Sequence, residues 1–265
     1  MIRKLFFILL LFGILTHSAY GQESFVYKSN MQTKALFGAN IPLTKLLQGA
    51  NVDNLLRYDD HYFYWQPISF SYFFHKYWGL EFNYQIGYSG RIRKRDNNFK
   101  ANMQSEYSDK YYVHTTTGDS DEIFFLDKSF LNRGYLGLIY RFETTKFYIY
   151  PKLSIGVTSL YTDWGRTDLK EKNSNYGYKI SYSSNEINDY FTLASSISFG
   201  YKVFHRLYIN ADIMLSYFKT NIVFEKEFTN LYIQQTDKEY FNYNKDVFTL
   251  SLGAGLIYII SFKKK

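Results

Sequence analysis

The 265-residue chain contains no cysteine and only three prolines, and past its first fifteen residues it has no apolar run long enough for a membrane helix. The missing cysteine removes disulfides, thiolate chemistry and any lipid-anchored cysteine behind a leader. A spanning helix needs roughly 17–25 apolar residues, so none is expected after Gln22. A basic block suited to nucleic acid is also lacking. The formal net charge is +7, but Arg3, Lys4 and the lysines at 263–265 supply most of it. No nucleic-acid partner is therefore expected. Nothing resembles a Gly-x-Ser-x-Gly elbow, a phosphate loop or a zinc signature, and no cofactor is expected.

What is present points to export and to a membrane. Arg3 and Lys4 precede an apolar stretch from Leu5 to Leu15, and Ala19-Tyr20-Gly21 has the small-x-small form of a cleavage site. Residues 1–21 read as a cleaved signal peptide and residues 22–265 as one barrel domain. Aromatic residues make up 21% of the chain, with 28 Tyr and 25 Phe, yet the mean hydropathy is −0.31. That is too polar for a helical bundle in lipid and too aromatic for an ordinary soluble domain. A barrel with one face to lipid and one to a polar interior satisfies both.

Period-two alternation recurs about eight times, at the 9–11 residues or more that tilted spanning strands require. Around Phe191 the apolar set is Phe191, Leu193, Ile197, Phe199, Tyr201 and Val203, opposed by Thr192, Ala194, Ser196, Ser198, Gly200 and Lys202. From Leu207 it is Leu207, Ile209, Ala211, Ile213 and Leu215 against Tyr208, Asn210, Asp212, Met214 and Ser216. From Phe147, Leu80 and Leu136 the same parity returns, with Ile86 assigned to the outward set. It returns again in the last strand, where Thr249, Ser251, Gly253 and Gly255 face inward. The first strand, around Lys34 to Ile41, is the faintest. Connections alternate in length: residues 75–79, 143–146 and 204–206 read as tight turns, and residues 42–60, 90–130, 165–189 and 224–246 as long polar loops. A soluble sandwich shows short strands too, but nothing in it demands that asymmetry.

The chain is therefore expected to be all-β, an antiparallel up-and-down transmembrane barrel. Eight strands is the preferred count, ten if residues 90–130 hide a further hairpin. Segments 99–106 and 120–126 are expected to extend strands above the membrane. Pro67 and Pro151 fall within strands and are expected to mark bulges.

The opening Gly38-Ala39-Asn40 strand, the aromatic-rich strands and the final Gly253-Ala254-Gly255-Leu256-Ile257-Tyr258 strand resemble the outer-membrane β-barrel domain family, OmpA/OmpX-like and including the PorT-like barrels common in Bacteroidetes-type bacteria. The resemblance implies an outer-membrane location with both mature termini periplasmic, and contact with outer-membrane lipids and lipopolysaccharide. It also implies the barrel-assembly machinery during biogenesis and leaves room for an envelope or secretion protein partner. It names no catalytic residue.

Candidate site residues follow from parity. Glu81, Arg141, Lys152, Lys202 and Asp212 fall on the inward set, and charges removed from water must be paired. Contacts Glu81–Arg141 and Lys152–Asp212 are expected. Together they plug a lumen that eight strands leave just wide enough for side chains; the alternative is a narrow channel for ions or small solutes. Arg91-Ile92-Arg93-Lys94-Arg95 is placed at a strand's outer exit, where Arg91, Arg93, Lys94 and Arg95 suit lipopolysaccharide phosphates; a solvated face with alternating exposure is the equal alternative. Asp60 and His61 are the best acid/base candidates for a rim hydrolase or acyltransferase. Such a run is common by chance, so a non-enzyme is the preferred reading. Tyr58, Tyr62, Tyr64, Trp78, Tyr161 and Trp164 are assigned to interfacial girdles. Loop tyrosines such as Tyr112, Tyr182 and Tyr240 are assigned to sheet continuing above the membrane.

Overall fold

The computed structural model describes residues 30–44, 62–88, 92–117, 129–161, 165–174, 176–184 and 187–261. The leader and its cleavage site lie outside them. The strands are β1 (Asn30–Pro42), β2 (Tyr62–Phe73), β3 (Trp78–Tyr88), β4 (Tyr111–Thr117), β5 (Ser129–Tyr140), β6 (Phe142–Glu143), β7 (Phe147–Tyr161), β8 (Gly165–Glu171), β9 (Gly177–Ser184), β10 (Ile187–Lys202), β11 (Leu207–Asn230) and β12 (Gln235–Ser261). One helix, α1 (Ile92–Tyr107), precedes β4.

Antiparallel ladders run β1-β2-β3-β5-β7-β10-β11-β12, and β12 pairs back onto β1 from Thr249 to Ser261. These eight strands close a cylinder and leave no free edge at that level. The expected parities hold around it. Leu153, Phe191 and Phe63 are 64%, 64% and 69% exposed on the outside, while Thr158, Thr192 and Ser69 on the inside are buried. An apolar surface of this extent cannot face water in a stable monomer, so it faces hydrocarbon. Aromatic contacts gather where the belt meets the tight turns, with Trp78 and Phe142 on Tyr140 and Phe147 on Tyr201.

The two strand prolines are solved differently. At Pro67 the register of β2 slips by one residue against both β1 and β3, a bulge. Pro151 makes no bulge: its register with β10 is unbroken. It sits where the ladder on β7's other side passes from β5 to the short β6, so its missing N–H falls at a gap between ladders. Ile86, expected outward, is buried at the level of the Pro67 bulge, its ladder partners being Trp65 and Asn132.

The long connections are ordered well beyond the cylinder. β11 and β12 stay paired to Asn230↔Gln235, and above the barrel they carry a further sheet in the order β12-β11-β9-β8-β4. Segment 99–106, expected to extend a strand, is helical instead. Between Asp96 and Tyr107 the chain has no β-branched residue and several good helix formers, and Phe99 and Met103 recur one turn apart. Both are fully buried against Leu169, Ile180 and Tyr182 of the upper sheet. The same cluster includes Tyr62, Leu131, Leu160 and Phe218 from the barrel's upper interior, so α1 lies over the mouth.

Candidate functional site

The barrel interior is built in tiers. At the tight-turn end Phe73, Ile139, Tyr148, Tyr150, Tyr208 and Ile257 form an apolar cluster. Its hydroxyls are engaged: Gln32 donates to the Tyr150 hydroxyl at 3.1 Å, which donates to Glu143 at 3.1 Å, and the Tyr148 hydroxyl donates to Asn210. Tyr148 needs Gly200 opposite it, because a Cβ there would overlap its ring. Arg141 closes this end. Its guanidinium lies 4.3 Å from the Phe73 ring centroid and donates to the Lys76 carbonyl at 2.9 and 3.0 Å.

Above lies a closed set of two lysines and two carboxylates. Lys34 Nζ is 2.6 Å from Asp212 and 3.6 Å from Glu81. Lys152 Nζ is 2.9 Å from Glu81 and 3.7 Å from Asp212. Each cation therefore meets both anions, and the four side chains come from β1, β3, β7 and β11, spread around the ring. The remaining lone pairs are used as well. Ser71 and Asn83 donate to Glu81 at 2.9 and 3.2 Å, and Asn210 donates to Asp212 at 2.9 Å. A buried ion set is tolerable only with such saturation.

The next tier is organised by Arg133 on β5. It reaches to Asn40 on β1 at 3.4 Å and to Thr249 on β12 at 3.1 Å. Ser251 also donates to Asn40 at 2.6 Å, and Ser216 and Thr249 share a hydrogen bond of 2.6 Å. Gln85 donates to Gln66 at 3.1 Å.

Of the expected charge contacts, Lys152–Asp212 is present and Glu81–Arg141 is not. Arg141 sits at the strand end, below the ion set, and its carboxylate neighbour is Glu143 at 4.0 Å. Lys202 is half-buried at the tight-turn end and takes no part in the ion set. The sequence reading missed Lys34 and Arg133, although a signal existed for both. Gln32, Lys34 and Asn40 share one parity against Met31, Phe37 and Ile41, and the parity that sends Leu136 and Leu138 outward sends Arg133 inward.

The basic run does not sit at a strand exit. Arg93, Lys94 and Arg95 belong to α1, since β3 stops at Tyr88 and helix-forming sequence follows; Arg91 lies outside the described residues, as do Asp60 and His61. Tyr62 and Tyr64 are buried inside the barrel rather than in a girdle, because the outward parity of β2 belongs to Phe63 and Trp65. Room for Tyr64 comes from Gly38 and Gly253, where a Cβ would strike its ring or hydroxyl. Trp78 faces outward as expected; Tyr58 and Trp164, and the side chain of Tyr161, lie outside the description. Tyr112, Tyr182 and Tyr240 lie on paired strands above the barrel. Among the described residues no three His, Cys, Asp or Glu side chains are grouped to hold a metal.

No protein-family model and no curated protein matches the chain. Solved structures similar to it include a major outer membrane protein from Thermus thermophilus, 8% identical over 88% of this chain and 100% of that one with a TM-score of 0.42. OprG from Pseudomonas aeruginosa is 13% identical over 89% and 97%, TM-score 0.40. The outer membrane protease OmpT from Escherichia coli is 7% identical over 91% and 99%, TM-score 0.31. With its ring closed, its belt apolar and its interior polar, the chain is a transmembrane β-barrel of the outer-membrane type.

Proposed function

We propose that this barrel carries a plugged lumen and serves as a non-catalytic binding protein of the cell envelope, holding a folded platform outside the cell for a glycolipid or protein partner. In this reading the leader is removed, the tight turns and both mature termini face the periplasm, and the long connections face outward. The observation that carries it is the unbroken succession of buried side chains from Arg141 at one end, through the ion set and Arg133, to α1 over the other. A solute path would have to break hydrogen bonds at each tier.

Conductance in planar bilayers tests the plug. The intact protein is expected to give no stable open state, and a steady single-channel current would overturn the proposal. Arg93, Lys94 and Arg95 open α1 a few residues after β3 ends at Tyr88, and in this reading they are the candidates to meet outer-leaflet phosphates. Retention of lipopolysaccharide by the purified protein is expected to fall when Arg93, Lys94 and Arg95 are all changed to Gln, with heat-modifiable migration unchanged. Equal retention would remove the glycolipid and leave the protein partner.

A further inference from the structure

The interior charges do not balance, and the imbalance is local. Lys34, Lys152, Glu81 and Asp212 neutralise one another, and Arg141 has Glu143 beside it. Arg133 is fully buried and meets no carboxylate among the described residues. Its terminal nitrogens bond two neutral oxygens, on Asn40 and Thr249, and its guanidinium lies 5.7 and 5.8 Å from the ring centroids of Tyr62 and Phe218.

The surroundings of this cation are neutral and hold buried donors that are not used. Arg133 Nε, Asn40 Nδ2 and Gln66 Nε2 are buried donors without a partner, and the Tyr135 hydroxyl is buried and unbonded too. The Asn40 amide cannot be turned to remove the problem: its Oδ1 accepts from both Arg133 and Ser251, so its nitrogen must face elsewhere. These groups share one tier. Arg133 is the ladder partner of Gln85, Gln85 holds Gln66, and Tyr135 lies two residues along the same face of β5. A water molecule would satisfy the donors and leave the charge uncompensated. A small anion satisfies both.

We infer that the Arg133 tier is a binding site for a small monovalent inorganic anion of the chloride class, held by Arg133 Nε and Asn40 Nδ2 with the Gln66 amide and Tyr135 hydroxyl as further donors. A single negative charge balances the guanidinium; a divalent oxyanion would overshoot it. The inference rests on the charge count and not on whether the lumen conducts, since an anion can be seated in an open lumen as well as a closed one.

Two measurements decide it. Crystals of the whole protein grown or soaked in bromide are expected to show an anomalous peak within hydrogen-bonding distance of Arg133 Nε and Asn40 Nδ2. Density there that does not scatter anomalously identifies water and overturns the proposal. In detergent, at fixed ionic strength and scan rate, replacing gluconate by chloride is expected to raise the unfolding midpoint by about 3 °C and then saturate. That response should be absent in Arg133→Met. Equal wild-type midpoints in the two salts would overturn it, and because this arm uses the unaltered protein, a misfolded variant does not blunt the test.

Discussion

β11 passes through two regions whose insides are built oppositely, and it keeps one parity throughout. Even-numbered residues face inward from Tyr208 to Phe224. In the barrel these are Asn210, Asp212 and Ser216, with Ile209, Ile213 and Leu215 outside. Above it the inward residues are Ile222 and Phe224, and the outward ones include Lys219, Glu225 and Glu227. β12 inverts at the same height: Leu252 and Leu256 are outside below, while Asp246 and Lys238 are exposed above. The ladder is continuous across the inversion, from Leu207↔Tyr258 to Asn230↔Gln235. One backbone geometry therefore serves two solvents, and the side chains record where hydrocarbon gives way to water. Charged groups inside the barrel must be compensated, whereas the upper sheet needs only an apolar filling under α1.

Breaking the ion set is the hardest test of the lower region. Asp212→Ala leaves Lys34 without its 2.6 Å partner, and an orphaned buried charge costs about 3–5 kcal/mol. Denaturant titration followed by heat-modifiable migration should show that loss. Lys34→Met in the same chain should recover much of it. If the double variant is no more stable than Asp212→Ala, the two residues are not coupled.

The upper region should fail separately. Phe99→Ala empties a fully buried site between α1, Gly165 and Tyr182, a loss of about 3 kcal/mol. Because α1 packs on β4 and β8, which lie outside the ring, limited proteolysis should open residues 92–117 and 165–184 while the barrel's gel mobility stays folded. Collapse of both together would mean the two regions are one cooperative unit.

Position along β11 sharpens the boundary. Lysine at Leu215, on the belt, should cost about 2–4 kcal/mol. Lysine at Val223, eight residues on with the same parity, should stay within about 0.5 kcal/mol, as surface substitutions do. Equal penalties would place the boundary elsewhere.

Most of the cylinder was legible because a two-residue period is a strong signal wherever one side meets lipid. Thr192, Ser198, Asn210, Asp212 and Lys152 all fall inside as their parity requires. The pairing of charges was less legible, since parity gives a side and not a height: Arg141 has the right side for Glu81 and lies too low. The upper region was read worst. Residues 90–130 look like polar loop, and only the four-residue spacing of Phe99 and Met103 betrays a helix. Sheet extension was easier to see, because Tyr178, Tyr182, Phe224 and Phe241 continue an alternation begun in the membrane.

The smallest effect concerns the outer face of the upper sheet, where pairing is exposed. Lys238 lies 2.5 Å from Glu225 and 2.6 Å from Glu227, and its hydrogen bond holds the Glu227 carboxyl below the usual range. A carboxyl lowered on folding stabilises fully above its unfolded value, about 4.3, and the contribution is lost as pH falls through the folded value. Lys238 is raised, chiefly by its hydrogen bond to Glu225, so its share holds below its unfolded value and goes as pH rises through the folded one. Protection of the amides of residues 225–240, taken relative to their intrinsic exchange rates, should therefore fall modestly below about pH 4. The change should be small, because solvent screens such pairs, and Glu227→Gln should flatten it. The closed ion set below, screened by neither water nor salt, should leave amide exchange in residues 207–215 indifferent to 1 M sodium gluconate, whereas the upper hairpin responds. An upper hairpin equally indifferent to salt would mean its lysine and carboxylates contribute nothing to holding the strands together there, and that packing of Tyr178 on Phe228 does so instead.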